Sequence, residues 1–162
     1  MHFSTLVLAL LSVTSSTIAA SDYQPLFATY PGFGQNLTTT FHYSQTVTIG
    51  QIIRFSGQGG WDSTGASSPT IENQIEQAFE NIDTALKSAG SQGLQDLVSI
   101  KSFHASDLST ALDAMVTVME EKLGSLKPIW TAIGDISLAL ESQGQMVEIE
   151  GEAFLSDVMR AN

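Results

Sequence analysis

A chain of 162 residues has the length of one domain, and the absence of cysteine excludes disulfides, thiolate metal sites and cysteine nucleophiles. A hydrophobic content of 43% with 14% charged residues is typical of a globular protein and not of a disordered one. The formal net charge of -11 disfavours nucleic acid and anionic membrane surfaces as partners, because both attract Lys and Arg and the chain has only six of these residues.

Residues 1–20 have the layout of a secretory signal peptide, which would make the protein secreted. They contain no Lys, Arg, Asp or Glu, and an apolar run at Leu6–Leu11 leads into a Ser- and Thr-rich stretch that ends at Ala20. The run is too short to span a membrane. Because its start carries only the N-terminal amine and His2, a cytoplasmic protein with a plain N-terminal extension is the alternative. Export by a eukaryotic route would make Asn36–Thr38 a glycosylation acceptor.

Residues 21–40 are rich in Gly, Pro, Thr and aromatic residues and show no periodicity, so we predict an irregular N-terminal arm. A β-hairpin is predicted next, because Tyr43–Ile49 and Ile52–Ser56 have alternating patterns on either side of Gly50. The glycine-rich stretch Gly57–Gly60 is expected to end the second of these strands.

Two amphipathic helices with a strand between them are predicted in the middle of the chain. The first opens on a Ser-Pro pair, in which the serine is the N-cap and the proline takes the first helical position. Apolar residues recur at helical spacing along both helices, and each helix ends at a glycine. The predicted bounds are Ser68 to Gly90 for the first helix, Leu97–His104 for the strand, and Ser106 or Asp107 to Gly124 for the second helix.

Two more strands are predicted after the second helix, over Pro128–Ser137 and Met146–Phe154. In the later strand Glu148, Glu150 and Glu152 alternate with small apolar residues, so the three carboxylates share one face. The order ββαβαββ predicts an α+β fold in which two helices pack on one face of a mixed β-sheet. The second face of the sheet is left uncovered, which favours assembly into an oligomer.

Four segments carry a resemblance to a known family: Tyr43-Ser-Gln45, Phe55-Ser-Gly-Gln58, the helix from Ile71 to Gly90, and Val147-Glu-Ile-Glu150. In order and spacing they resemble the RidA/YjgF family, in a variant most similar to a fungal branch. The resemblance implies a chorismate-mutase-like fold, a homotrimer with small-molecule clefts between its subunits, no cofactor, and hydrolysis of the C=N bond of an enamine or imine. We therefore assign residues 41–155 to one RidA-like domain and residues 156–162 to a C-terminal tail.

Residue by residue, the resemblance implies that Glu148 and Tyr43 are catalytic and that Trp130, Gly57 and Thr131 bind the substrate. Glu148 would activate a water for attack on the C=N carbon. Deaminases of this family grip the substrate carboxylate with an arginine, and Trp130 occupies that position here. Charge-assisted hydrogen bonds contribute roughly 1.5–3 kcal/mol each, so loss of a bidentate pair should weaken the binding of small imino acids about a hundredfold. An indole suits a neutral or aromatic ligand better.

Without the resemblance, the same residues have simpler interpretations. Glu148 then belongs to a solvated acidic strand face, Tyr43 is structural and Trp130 is a core residue. His42 and His104 are too few for a metal site, which needs three or four ligands. Two classes of function are therefore open: an imine or enamine deaminase with an altered substrate range, and a non-catalytic small-molecule-binding or protective protein of the same fold.

Overall fold

A six-stranded mixed β-sheet with helices on one face is the core of the fold. The computed structural model describes residues 24–155, so the predicted signal peptide and C-terminal tail lie outside the described residues. The elements in chain order are β1 (Leu26–Ala28), α1 (Phe33–Phe41), β2 (Thr46–Ile49), β3 (Ile52–Gly59), α2 (Ile71–Ser88), a 3₁₀ turn (Gly93–Asp96), β4 (Leu97–His104), α3 (Leu108–Leu123), β5 (Ile129–Ile133), a second 3₁₀ turn (Glu141–Gln143) and β6 (Val147–Phe154).

The strand order across the sheet is β1-β2-β3-β6-β4-β5. Neighbouring strands are antiparallel except for β4 and β5, which run parallel. Among the strands of residues 24–155, β6 comes last in chain order, and it lies inside the sheet between β3 and β4. The predicted α+β class and mixed sheet are confirmed.

The alternation in β6 decides which face of the sheet is buried. Val147, Ile149 and Ala153 are fully buried in the core, whereas Glu148 and Glu150 keep part of their surface on the opposite face. This agrees with the predicted separation of the carboxylates from the apolar residues. Burying an aliphatic side chain contributes about 1.5–3 kcal/mol, so a one-residue slip of β6 would be costly and its register is fixed.

Helices α2 and α3 close the buried face of the sheet. Ile75, Phe79 and Ile82 of α2 are fully buried and belong to the same core as Met115 of α3. These positions follow the helical spacing seen in the sequence, with the charged residues of α2 directed to solvent. Within residues 24–155, none of the helices is both long and apolar enough to cross a membrane.

The two long helices begin in different ways. α3 begins as predicted, because the Asp107 carboxylate accepts a hydrogen bond from the N–H of Ser109 at 2.6 Å and so caps the helix. α2 begins at Ile71 with Thr70 as its N-cap, so the prediction that Ser68 caps this helix is wrong. The Ser68 hydroxyl instead accepts a long hydrogen bond from the N–H of Thr70 at 3.4 Å and forms a turn ahead of the helix.

The N-terminal segment differs from the irregular arm predicted for residues 21–40. β1 pairs antiparallel with β2, and α1 follows it as a regular helix. Contacts with distant parts of the chain hold α1: Phe33 lies against Trp61 with ring centroids 5.7 Å apart, and Leu37 is buried. The sequence of α1 is rich in Gly, Asn and Thr, which have low helix propensity, so the local sequence does not predict this helix. Its stability comes from the non-local contacts.

Strand β3 is longer than predicted. It continues to Gly59 instead of ending at Ser56, and it pairs with β6 along the added residues. A β-bulge between Phe55 and Gln58 places one extra residue in β3 and lets the pairing resume beyond it. The glycine-rich stretch therefore bends the strand and does not end it.

Strand β5 is shorter than predicted, covering Ile129–Ile133 in place of Pro128–Ser137. Gly134 follows directly, and a Cβ at this position would lie 3.0 Å from the backbone oxygen of Ser106, so the chain passes close to the start of α3. Asp135 then adopts a positive φ of 56°, which turns the chain out of the sheet.

Candidate functional site

Three of the predicted site residues lie together where β3 and β6 pair around the bulge. Gly57 is in the bulge, Glu148 is on β6, and Tyr43 precedes β2 and interacts with the charge of Glu148. A Cβ on residue 57 would collide with the Oε1 atom of Glu148, so this carboxylate lies directly against the backbone of Gly57. At this position of the bulge, only a glycine leaves room for the carboxylate of Glu148.

The carboxylate of Glu148 is half-buried and is held from one side. Its Oε2 atom accepts a hydrogen bond from Nε2 of Gln145 at 3.0 Å. Gln145 is itself oriented, because its Oε1 accepts the N–H of Leu140 at 2.9 Å. Burial raises the pKa of Glu148, the bond from Gln145 opposes this rise, and the charge of Glu150 adds to it. A desolvated carboxylate with a raised pKa is suited to accept a proton.

The phenol of Tyr43 is the second polar group of the site. Its oxygen accepts a hydrogen bond from Nε2 of Gln45 at 3.1 Å. Burial raises the pKa of Tyr43, the bond from Gln45 lowers it, and the negative charge of Glu148 raises it further. Because the net change is upward from an ordinary value of about 10, this phenol is neutral at pH 7 and has a proton to donate.

Fully buried amide side chains support this site, although no motif in the sequence indicates a role for them. Nε2 of Gln58 donates a hydrogen bond to Oε1 of Gln45 at 2.7 Å. The N-terminal segment joins them, because the Tyr30 hydroxyl donates to Oε1 of Gln58 at 3.1 Å. Counted along the strand from the buried Phe55, Gln58 falls on the outward phase, and only the bulge turns it inward. The period-2 alternation of a regular strand therefore does not predict that Gln58 is buried.

The other two predicted site residues, Trp130 and Thr131, lie on the edge strand β5 and do not join this group within one chain. Trp130 packs against the core, and its Nε1 donates a hydrogen bond to Oγ of the buried Ser102 at 2.9 Å. Its indole thus lies on the helix-covered face, whereas Glu148 lies on the open face. Thr131 is in register with Lys101 on the open face, and β4 separates β5 from β6.

A depression of about 510 Å³ on the open face lies beside β5. Two ion pairs border it: Arg54 Nε lies 2.8 Å from Glu152 Oε1, and Lys101 Nζ lies 3.2 Å from Glu150 Oε1. Exposed pairs of this kind contribute only ~0–1 kcal/mol to stability. They do distinguish the three carboxylates of β6, because Glu150 and Glu152 have basic partners and Glu148 is held by an uncharged amide.

His104 lies on β4 and His42 lies directly after α1. His104 is fully buried, its Nε2 lies 3.0 Å from Oγ of Ser102, and burial lowers the pKa of its imidazole. His42 follows α1 as its C-cap with a left-handed φ of 57°. In the part of the chain that the structure describes, no group of three or more His, Cys, Asp or Glu side chains is arranged to hold a metal ion.

Comparison with known proteins finds the same architecture elsewhere. The family model described as "Endoribonuclease L-PSP" matches residues 33–155. The RutC family protein YjgH of Escherichia coli (strain K12) is 30% identical over 113 residues, which cover 69% of this chain and 85% of that protein. A solved structure of a protein YJGH has a TM-score of 0.68 and 27% identity, covering 83% of this chain and 98% of that chain. The structure of RidA from the Antarctic bacterium Psychrobacter sp. PAMC 21119 has a TM-score of 0.63 and 32% identity, with 70% and 88% covered.

Proposed function

Because the chain belongs to the endoribonuclease L-PSP family, the family of the RidA/YjgF proteins, we propose that it hydrolyses the C=N bond of an imine or enamine. One observation carries the proposal: the desolvated carboxylate of Glu148 lies against the bare backbone of Gly57 and near the neutral phenol of Tyr43. A proton acceptor and a proton donor on one site are what hydrolysis of a C=N bond requires.

In the proposed reaction Glu148 takes a proton from a water molecule while the water oxygen attacks the imine carbon. The electron pair of the C=N bond moves to the nitrogen, which takes the proton of the Tyr43 hydroxyl. In the second step Glu148 returns its proton to the amine nitrogen and the Tyr43 phenolate takes the proton of the new hydroxyl. Ammonia and a carbonyl compound leave, and both side chains are restored. An enamine enters the same path after tautomerising to the imine.

The proposed substrates are uncharged or aromatic imines. Trp130 stands where deaminases of this family carry the carboxylate-binding arginine. The basic residues Arg54 and Lys101, which line the depression beside β5, already form ion pairs with carboxylates of β6. A small imino acid therefore lacks two charge-assisted hydrogen bonds to the protein. We expect this loss to lower its turnover about a hundredfold.

A homotrimer with clefts between subunits is part of the proposal. Within one chain Trp130 and Glu148 lie on opposite faces of the sheet with β4 between their strands, so one ligand cannot touch both. A second copy that brings its β5 edge to the Tyr43 and Glu148 side would bring both groups to one ligand. The side chain of Ile129 on β5 is 75% exposed, and such a contact would bury it.

Cleavage of RNA, which the family's description names, has little support in the charges of this chain. Recognition of a phosphate backbone depends on Lys and Arg. The net charge is -11, and the basic side chains of Arg54, Lys87, Lys101 and Lys122 each form an ion pair with a carboxylate. The site around Glu148 is acidic as well, so an uncharged ligand fits it better than a polyanion.

The test is hydrolysis of imines by the purified full chain. Imines are produced during the assay from small amino acids and from aromatic amines by the matching oxidases, with semicarbazide as the trap for unreacted imine. We expect turnover of the aromatic, uncharged imines and about hundredfold weaker turnover of the small imino acids. Equal use of both classes would refute the role given to Trp130.

Glu148→Gln is the variant that tests the chemistry. General acid–base catalysis contributes about 10²–10⁴-fold, so turnover should fall by at least about a hundredfold. Glu152→Gln is the matched control, because Glu152 lies on the same face of β6 and is partly buried like Glu148, but its carboxylate is paired with Arg54. Full activity in Glu148→Gln would remove Glu148 from the mechanism. If the wild type hydrolyses neither class of imine, the non-catalytic ligand-binding alternative is favoured.

A further inference from the structure

A chain of buried hydrogen bonds ends on the hydroxyl of Tyr43. The Tyr30 hydroxyl donates to Oε1 of Gln58 at 3.1 Å. Nε2 of Gln58 donates to Oε1 of Gln45 at 2.7 Å, and Nε2 of Gln45 donates to the Tyr43 oxygen at 3.1 Å. Both glutamines are fully buried, so water cannot substitute for a missing partner.

The direction of these bonds is fixed by backbone carbonyls. The oxygen and nitrogen of a glutamine amide can exchange places by a flip, and only the surrounding partners decide between the two orientations. Nε2 of Gln58 donates to the carbonyl oxygen of Ser56 at 3.1 Å, and Nε2 of Gln45 donates to that of Gly34 at 3.3 Å. A carbonyl oxygen can only accept, so a flip of either amide would bring two oxygens together. Each amide is therefore oriented by a partner outside the chain of bonds.

The fixed orientation of the Gln45 amide determines where the single hydrogen of the Tyr43 hydroxyl can point. Its oxygen already accepts the bond from Gln45, and a hydroxyl has one hydrogen to donate. Within residues 24–155 the hydrogen bonds of this hydroxyl include no protein acceptor, so its hydrogen is free for a ligand. Burial keeps the pKa of Tyr43 above its ordinary value, so the hydrogen is present at neutral pH.

We infer that Gln45 and Gln58 are positioning residues that make Tyr43 a hydrogen-bond donor toward the ligand. This inference rests on the proposed function, which places the ligand beside Tyr43 and Glu148. The ligand atom at Tyr43 must then be an acceptor, such as the lone pair of an unprotonated imine nitrogen, and an iminium or ammonium N–H is disfavoured there. Glu148 is the acceptor of the site and faces the donor, which is the attacking water.

The N-terminal segment has a part in this arrangement. The carbonyl of Gly34 that orients Gln45 belongs to α1, and Tyr30 lies between β1 and α1. Trp61 Nε1 also donates to the Tyr30 oxygen at 3.4 Å, so the hydrogen of that hydroxyl is directed to Gln58. The segment predicted to be an irregular arm thus supplies groups that set the polarity of Tyr43.

The experiment measures the ionisation of Tyr43 without any need for turnover. The chain has three tyrosines, so the full protein labelled with 3-fluorotyrosine gives three ¹⁹F signals, which tyrosine-to-phenylalanine variants assign. Gln45→Met keeps the length of the side chain and removes the donor. Because a donated hydrogen bond stabilises a phenolate, the pKa of Tyr43 should rise in this variant.

Gln74→Met is the matched control. Gln74 is also fully buried and donates to backbone carbonyls, those of Ser68 and Gly144, and within the described residues none of its hydrogen bonds involves Tyr43. The pKa of Tyr43 should stay at its wild-type value in this control. An unchanged Tyr43 pKa in Gln45→Met, or an equal rise in both variants, would overturn the inference.

A second measurement covers the case in which Gln45→Met does not fold. Tyr43→Phe removes one hydroxyl, and its side-chain amide spectrum is compared with that of the wild type. The Nε2 signal of Gln45 should shift because it loses an acceptor, while that of Gln74 stays in place. An unmoved Gln45 signal overturns the inference. Both readouts are independent of imine hydrolysis. If the deaminase proposal fails, turnover will be absent while the changes in the Tyr43 pKa and in the Gln45 amide signal are still seen.

Discussion

Replacement of Gly57 by alanine tests whether the position of Glu148 sets the activity. An ideal Cβ on residue 57 would meet Oε1 of Glu148 and would lie 2.5 Å from its Cδ and 2.6 Å from its Cγ. Carbon atoms pack at about 3.5 Å, so the carboxyl group must retreat by roughly 1 Å. A displacement of that size costs on the order of a hundredfold in rate. The cost in stability should be only about 1–3 kcal/mol, as at other overpacked sites.

Turnover and thermal unfolding of Gly57→Ala are measured in the wild type and in a Glu148→Ala background. Alanine at position 148 removes the atoms that the new Cβ would strike, so Gly57→Ala should cost little stability there. Wild-type turnover in Gly57→Ala would refute the role given to the position of Glu148. Equal destabilisation of both backgrounds would refute it as well, because the strain would then not come from Glu148.

Three further predictions follow from the described contacts. Glu148→Gln should stabilise the protein at pH 7, because a carboxyl group whose pKa is raised by folding costs stability above its unfolded pKa; urea unfolding should show the gain disappearing as the pH falls below 4.5. Ser102→Ala should cost about 1–3 kcal/mol in the same assay, because it leaves Trp130 Nε1 and His104 Nε2 without their partner. Light scattering should give a mass three times 17.3 kDa and a lower mass for Ile129→Asp, whereas a monomeric wild type would contradict the homotrimer.

The parts of the fold that depend on local chemistry could be predicted from the sequence. In β6 the period of a strand is enough to separate Glu148 from Val147 and Ile149, and the burial agrees. The start of α3 needs only a capping side chain, which Asp107 provides. The grouping of Gly57 with Glu148 was implied by the family resemblance, and their roles in catalysis stay predictions.

The parts that were missed depend on contacts between distant residues. α1 is held by packing such as that of Phe33 on Trp61, which no local pattern encodes. The burial of Gln58 follows from a bulge, and a bulge changes the phase of a strand without a clear sequence signal. The face taken by Trp130 follows from the register of β5 with β4, where it lies beside the buried Ile100. Register across a sheet is a property of the assembled strands.

The central place of β6 has a consequence for how the protein is made. β3 and β4 both pair with β6, and β6 is the last element of the sheet in chain order. Until Val147–Phe154 has left the ribosome, β3 and β4 have no partner on that side, and unpaired strand edges are prone to wrong association. Pairings between such distant segments also form slowly. We therefore expect the sheet to close only once β6 has been synthesised, so that a nascent chain without β6 is the form most exposed to aggregation and to cellular quality control.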